Sequence, residues 1–173
     1  GSWVQILPGP LIMKEHNIVA GIIEYEDKIT FIKRNKEPFQ DTLILPGGKV
    51  EFGETLEESI EREILEETGL IVKTKEEVGY YDELVLENRI PTHRHKITIY
   101  YVTPISFDYR DSKEGEVLHL NKDDLILNKD RINPSDYRML ERVLFNNQWG
   151  FRARITVEKI GNNYRILSEE NIN

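Results

Sequence analysis

Glu63, Glu66 and Glu67 are the residues of this chain best placed to do chemistry. On a helix turning about 100° per residue they fall in one arc, beside an apolar stripe of Leu56, Ile60 and Ile64. Like charges three and four residues apart destabilise a helix, and more so where water is scarce. A hard divalent cation removes that conflict, because Mg²⁺ takes oxygen ligands, keeps some of its waters and binds substrate phosphates. Glu57, Glu58 and Glu61 lie on the opposite flank and read as solvated surface charges.

The same stretch shows what must position these carboxylates. Thr55 followed by Glu58 is a capping box, so a helix starts after Thr55. Gly69 suits the left-handed position that ends one. The spacing therefore predicts a helix over Leu56 to Thr68. Upstream, Leu43-Ile44-Leu45 reads as a short buried strand broken by Pro46-Gly47-Gly48. Adjacent glycines let the backbone approach a ligand closely. Arg62 sits between the two acidic arcs.

Together, Gly48, Glu54, Arg62-Glu63-Ile64, Glu66-Glu67 and Gly69-Leu70 fill the pattern G-x5-E-x7-R-E-U-x-E-E-x-G-U, with U aliphatic. This resembles the Nudix box of the Nudix hydrolases, strongly from Pro46 to Leu70 and traceably from Asn17 to about Leu125. The resemblance implies an α/β protein, the Nudix α/β/α sandwich with a mixed central sheet. It also implies an Mg²⁺-dependent hydrolase, with Mn²⁺ as a substitute, that cleaves a diphosphate linked to a nucleoside or a similar group. Glu63, Glu66, Glu67 and the Gly48 carbonyl would be the metal ligands. Arg62 would orient the box glutamates, and Glu54 would fix the loop against the helix. Glu63, Glu66 and Glu67 are the expected catalytic residues, joined by Glu114 from the loop Ser112 to Glu116, with Glu116 as its alternate. Substrate contacts are expected from Arg34, Gly47, Gly48 and Lys49. An arginine can grip a phosphate through two parallel hydrogen bonds.

Among the branches of that family, the MutT-like one fits first: a nucleoside triphosphate, oxidised or not, would go to monophosphate and pyrophosphate. An ADP-ribose or nucleotide-sugar pyrophosphatase is the alternative, although the proline that branch often carries past the box is missing until Pro91. A non-catalytic nucleotide sensor is a third reading, disfavoured because every box glutamate is present. Many relatives have an aromatic ahead of the Leu-Pro-Gly-Gly turn and a Trp near Val117 to Leu120; neither is found here.

The rest of the chain reads as a frame around the box. Asn17 to Tyr25 and Ile29 to Arg34 form a hairpin. Glu77 to Glu87 and Lys96 to Ile105 are β-rich. Asn88 to Arg94 reads as their link, which puts His93-Arg94-His95 in a turn just ahead of a strand. Of Tyr80 and Tyr81, one faces the core and the other is free to stack on a base. Asn133-Pro134 caps a helix running to about Asn146. Residues 3–147 read as the Nudix domain, with an extra strand over Trp3 to Met13. Residues 148–173 read as a hairpin extension. A lone hairpin is marginal in water, so it must pack on the core or on a second copy in a homodimer.

A chain of 173 residues suits one domain. Its net charge of −8 argues against a general nucleic-acid surface and for a small nucleotide brought in with cations. It has no cysteine, which excludes disulfides, thiol nucleophiles and cysteine metal sites. No apolar run is long enough for a membrane span and no secretory signal is evident, so the sequence reading places the chain in the cytoplasm.

Overall fold

The structure is a computed structural model that describes residues 13–173. The strand expected over Trp3 to Met13 therefore lies, but for Met13, outside the described residues. Strands β1 (Lys14–Tyr25) and β2 (Lys28–Arg34) flank a turn in which Glu26 and Asp27 both take positive φ, the twist that two-residue hairpins favour. The short strands β3 (Leu43–Ile44) and β4 (Gly47–Lys49) precede helix α1 (Leu56–Thr68). There follow β5 (Val72–Glu87), β6 (Ile90–Pro104), β7 (Gly115–Asn121), helix α2 (Pro134–Leu140), β8 (Phe151–Ile160) and β9 (Asn163–Asn171).

Among the described residues the strands run β3-β2-β1-β6-β5-β8-β9, with β4 also on β1 and β7 also on β2. The β1–β6 and β5–β8 pairs are parallel and the others antiparallel, which makes the sheet mixed. Side chains alternate across it. Val19, Ile23, Tyr100 and Val102 face α1 and pack on Ile60, Ile64 and Leu70. Ala20, Ile22, Tyr81, Ile97 and Ile99 face the other way and pack on Tyr137, Met139 and Leu140 of α2. The fold is thus an α/β/α sandwich. Gly21 lies directly beneath α1: an added Cβ would sit 3.3 Å from the tips of Ile60 and Ile64.

Helix α1 is bounded by its own caps. Thr55 accepts a hydrogen bond from Glu58 N, and Gly69 closes the helix at φ 78° with its N–H on Leu65 O. At α2, Asn133 accepts from Asp136 N ahead of Pro134. The last turn, Glu141 to Phe145, is widened, with Asn146 N donating to Glu141 O.

The structure corrects one placement. Asn88 and Arg89 make a tight turn at φ 51° and 66°, so β6 begins at Ile90 and His93-Arg94-His95 lies within the strand. His93 and His95 then share a sheet face, and His95 stands level with Glu83 on β5 and His16 on β1. The C-terminal hairpin extends the sheet, with β8 parallel to β5 from Gly79–Phe151 to Leu86–Glu158. Phe151, Ala153, Ile155 and Val157 face the core. Glu169 of β9 accepts hydrogen bonds from Tyr81 Oη (2.9 Å), Arg138 Nε (2.8 Å) and Arg142 Nε (2.6 Å), which ties the hairpin to α2.

Candidate active site

Helix α1 presents its carboxylates to the loop that carries the short strand β4, the Gly47-Gly48 loop. Gly47 N donates to Glu67 Oε2 at 3.3 Å, and Glu67 is 8 % exposed. Burial, then the adjoining Glu63 carboxylate, pushes the Glu67 carboxyl far above the usual carboxylate range; the Gly47 N–H opposes this and Glu114 adds to it. The Glu63 carboxylate fills the space over Gly48: a Cβ there would meet Glu63 Oε1 at 2.6 Å. Gly47 lies even closer to backbone, since its Cβ would run into the Val19 carbonyl. Both glycines are therefore set by close approach.

Arg62 organises the acidic groups around it. Its Nε and Nη2 donate to the two oxygens of Glu54 at 3.0 and 2.7 Å, and its Nη1 donates to Glu63 Oε1 at 2.8 Å. Nη2 also reaches Lys49 O at 3.2 Å, stitching the loop to the helix. The Arg62 guanidinium and the Glu51 N–H hold the Glu54 carboxyl down at about 2. Glu66 is turned outward, and its contact is Arg62 Nη1 at 3.3 Å. Glu114 stands opposite, 3.8 Å from Arg34 Nη1 and 3.6 Å from Lys36 Nζ. Glu116 faces solvent. The expected residues thus meet unequally: Glu63, Glu67 and Gly48 adjoin, with Glu114 near them, whereas Glu66 and Glu116 stand apart.

The donors gathered at this loop are carboxylate and carbonyl oxygens, the set a hard cation takes. Among the described residues no three of the His, Cys, Asp and Glu side chains already converge as a complete cage. Two crowded carboxylates, one of them driven toward its protonated form, are what a divalent ion would relieve.

A cleft of about 590 Å³ opens beside the loop, lined among others by Arg34, Gly47, Gly48 and Lys49. Its floor is the α2-facing side of the sheet, with Ile18, Val85 and Ile97; the cap Asn133 and Ser135, Asp136 and Met139 of α2 form a wall. Buried Glu83 binds His95 Nδ1 at 2.8 Å and accepts from Ser135 Oγ at 2.5 Å. Burial, then Lys49 and His95, holds His16 below the usual histidine range. Burial, then His95 and Lys14, does the same for His93. Asp136 turns Oδ2 inward to accept from Leu45 N at 2.9 Å. Burial lifts its carboxyl to about 7, with Leu45 N–H opposing and Glu83 adding.

Glu83, Ser135 and Asp136 were not singled out from the sequence. A carboxylate in register with inward-facing Tyr81 and Val85 is the signal that marks Glu83. Tyr81 is buried in the core, and Tyr80 lies on the opposite face under Arg152, with the guanidinium carbon 4.4 Å from the ring centre. Neither tyrosine lines the cleft.

The family model described as the NUDIX domain matches residues 15–143. A stretch of 107 residues, 60 % of this chain, is 45 % identical to an ADP-ribose pyrophosphatase of Methanocaldococcus jannaschii and covers 61 % of that protein. An 8-oxo-dGTP diphosphatase of Escherichia coli is 36 % identical over 77 residues, 43 % of this chain and 57 % of that one. The chain thus spans less than two thirds of the length of these curated relatives. The solved structure of a MutT protein from Bacillus halodurans superposes with a TM-score of 0.70 at 20 % identity, covering 90 % of this chain and 97 % of the other. A NUDIX hydrolase from Nitrosomonas europaea gives 0.66 at 23 % identity, covering 86 % and 81 %. At those identities the two structures speak for the fold.

Proposed function

The chain belongs to the Nudix family, and from that premise we propose that it is an Mg²⁺-dependent hydrolase of a nucleoside diphosphate-linked substrate. The observation that carries the reading is the Glu63–Glu67 pair abutting the Gly47-Gly48 loop at the mouth of a nucleotide-sized cleft. Clefts of a few hundred Å³ with few polar groups suit ligands of that size. Glu63, Glu67 and the Gly48 carbonyl would hold the cation, with Glu66 as an outer carboxylate. Once bound, the cation would neutralise diphosphate oxygens and acidify a water.

The chain's own residues do the rest. Arg62 fixes the Glu63 carboxylate, so the ligand geometry is set before substrate arrives. Arg34 lines the cleft within reach of Glu114 and is placed to exchange that loose pairing for a phosphate. Lys49 adds a second cation at the same mouth. Glu114 accepts the proton of the attacking water: its ion pairs are 3.6 Å or longer, whereas Glu63 is committed to Arg62 at 2.8 Å. Asp136 and Glu83 present carboxyl oxygens to the base edge of the substrate.

The first substrate in this reading is a nucleoside triphosphate, oxidised or not, yielding monophosphate and pyrophosphate. ADP-ribose is the second, favoured by the 45 % identity to a protein of that name. The partner is a small nucleotide, and the net charge of −8 supports that over a polymer. The strand β9 at the sheet edge leaves a homodimer within the proposal. A cytoplasmic setting belongs to the proposal too, supported by a cysteine-free chain; among the described residues no helix is long and apolar enough to cross a membrane. Chromatographic product analysis in Mg²⁺, on nucleoside triphosphates, 8-oxo-dGTP and ADP-ribose, tests the reading. Pyrophosphate from a triphosphate supports the first substrate and AMP from ADP-ribose the second. Inertness towards all of them removes the proposal.

A further inference from the structure

The domain match ends at residue 143, yet the cleft is closed by residues beyond it. Lys159 and Tyr164, on the two arms of the β8–β9 hairpin, line the cleft together with Phe39 and Pro38 from the β2–β3 loop. From β4, where Gly47 and Gly48 sit, the sheet runs β4-β1-β6-β5-β8. Four strand spacings of roughly 4.8 Å put the hairpin about 19 Å from the metal-side loop. Lys159 follows Glu158, which pairs with Leu86, and its ammonium stands 3.9 Å from the Glu87 carboxylate.

The hairpin tip also holds the β2–β3 loop. Phe39 N donates to Asn162 O at 3.2 Å and to Asn162 Oδ1 at 3.0 Å. The Phe39 ring meets Tyr164 edge-on, with centres 4.4 Å apart. Phe39 has φ 68°, a left-handed backbone that a bulky residue keeps only when its surroundings hold it. The clasp therefore fixes the far end of the cleft. Among the described residues the Tyr164 hydroxyl has no hydrogen-bond partner, and burial, with Glu83 and Glu87, lifts it to about 12. It stays a neutral donor through the physiological range.

We propose that the C-terminal hairpin sets substrate choice: Tyr164 Oη and Lys159 Nζ donate hydrogen bonds to the acceptor-rich end of the substrate farthest from the Gly47-Gly48 loop. That end is a base or terminal sugar rimmed by carbonyls, ring nitrogens or hydroxyls. Lys159 exchanges its long pairing with Glu87 for this contact, and Tyr164 fills its free hydroxyl. The inference rests on the proposed nucleotide hydrolysis.

The test measures kcat and KM in Mg²⁺ for wild type, Tyr164→Phe, Lys159→Ala and Lys159→Arg, on dGTP, 8-oxo-dGTP, ATP and ADP-ribose. Tyr164→Phe keeps the ring against Phe39 and removes only the hydroxyl, and thermal unfolding checks each variant. Losing one hydrogen bond should raise KM for the best substrate about fivefold, with kcat within about twofold. The ratio of kcat/KM between substrates should shift, and Lys159→Arg should restore what Lys159→Ala loses. A structural role alone would lower every substrate alike. Unchanged KM and ratios in an active enzyme, or an equal loss across the panel, overturns the hairpin's role and leaves the hydrolase reading standing. A wild type inert on the whole panel overturns that reading and this inference with it.

Discussion

Gly48→Ala separates the chemistry of the loop from its folding. An alanine Cβ would lie 2.6 Å from Glu63 Oε1, 2.7 Å from its Cδ and 2.9 Å from Oε2. Ordinary contact begins near 3.4 Å, so the carboxylate must retreat by 3.4 − 2.6, about 0.8 Å. A side-chain end can do this, but it stretches the 2.8 Å bond from Arg62 Nη1. That bond is partly solvent-exposed, so weakening it costs about 1 kcal/mol or less. The backbone at Gly48 is not left-handed, and alanine there gains about 0.4–1 kcal/mol from a less disordered unfolded chain. Net stability should therefore change by less than about 1 kcal/mol. Displacing a catalytic group by about 1 Å can cost on the order of 10²-fold in rate. Thermal unfolding and product release in saturating Mg²⁺ read the two quantities, and the expected result is an unchanged melting temperature with kcat down on the order of a hundredfold. A folded variant with kcat within twofold of wild type would refute the role given to the Glu63 carboxylate. Gly47→Ala is the contrast: its Cβ runs into the Val19 carbonyl and comes 2.9 Å from Ala20 Cα, backbone atoms of the paired strand that cannot swing aside. It should lower the melting temperature whatever it does to activity.

Asp136→Asn should alter the pH dependence of stability. The folded carboxyl sits at about 7 against an ordinary 3.8, so the folded state holds its proton more tightly than the unfolded chain. That advantage is full below about 3.8 and is lost as pH rises through about 7. Asparagine removes the linkage, so the variant should gain on wild type between pH 4 and 8, by at most about 4 kcal/mol for about three units at 1.36 kcal/mol each. Melting curves at each pH read the difference, and parallel curves would refute the raised Asp136 carboxyl. Glu169→Ala strips the partner from Arg142, whose side chain is 8 % exposed. An uncompensated buried charge costs about 3–5 kcal/mol, which urea unfolding should register, and a change under 1 kcal/mol would mean the hairpin is not anchored there.

How far the sequence carries depends on whether a signal is local. Helix α1 was legible to its end residues because Thr55, Glu58 and Gly69 act within one turn of the helix ends. The Arg62 constellation was expected from the resemblance to the Nudix box, and its partners do lie along the same helix and loop. By contrast, Arg89 in a left-handed turn has no strong sequence signature, and reading Asn88 to Arg94 as a link misplaced two histidines that belong to the cleft floor. The alternation of Phe151, Ala153, Ile155 and Val157 shows a strand with one buried face. It does not say that the neighbour is β5, because parallel pairing is set by the whole sheet. Glu83 and Tyr164 reach one cleft through that pairing and Asp136 through the packing of α2 on the sheet, so the cleft could not be assembled from any one segment.

Turnover by Glu67→Gln in Mg²⁺, beside wild type on the same best substrate, tests the central claim most directly. Glutamine keeps the shape and an oxygen for Gly47 N–H but removes the carboxylate the cation would need. The account predicts a folded protein whose kcat falls by orders of magnitude. A folded Glu67→Gln protein as active as wild type would contradict it.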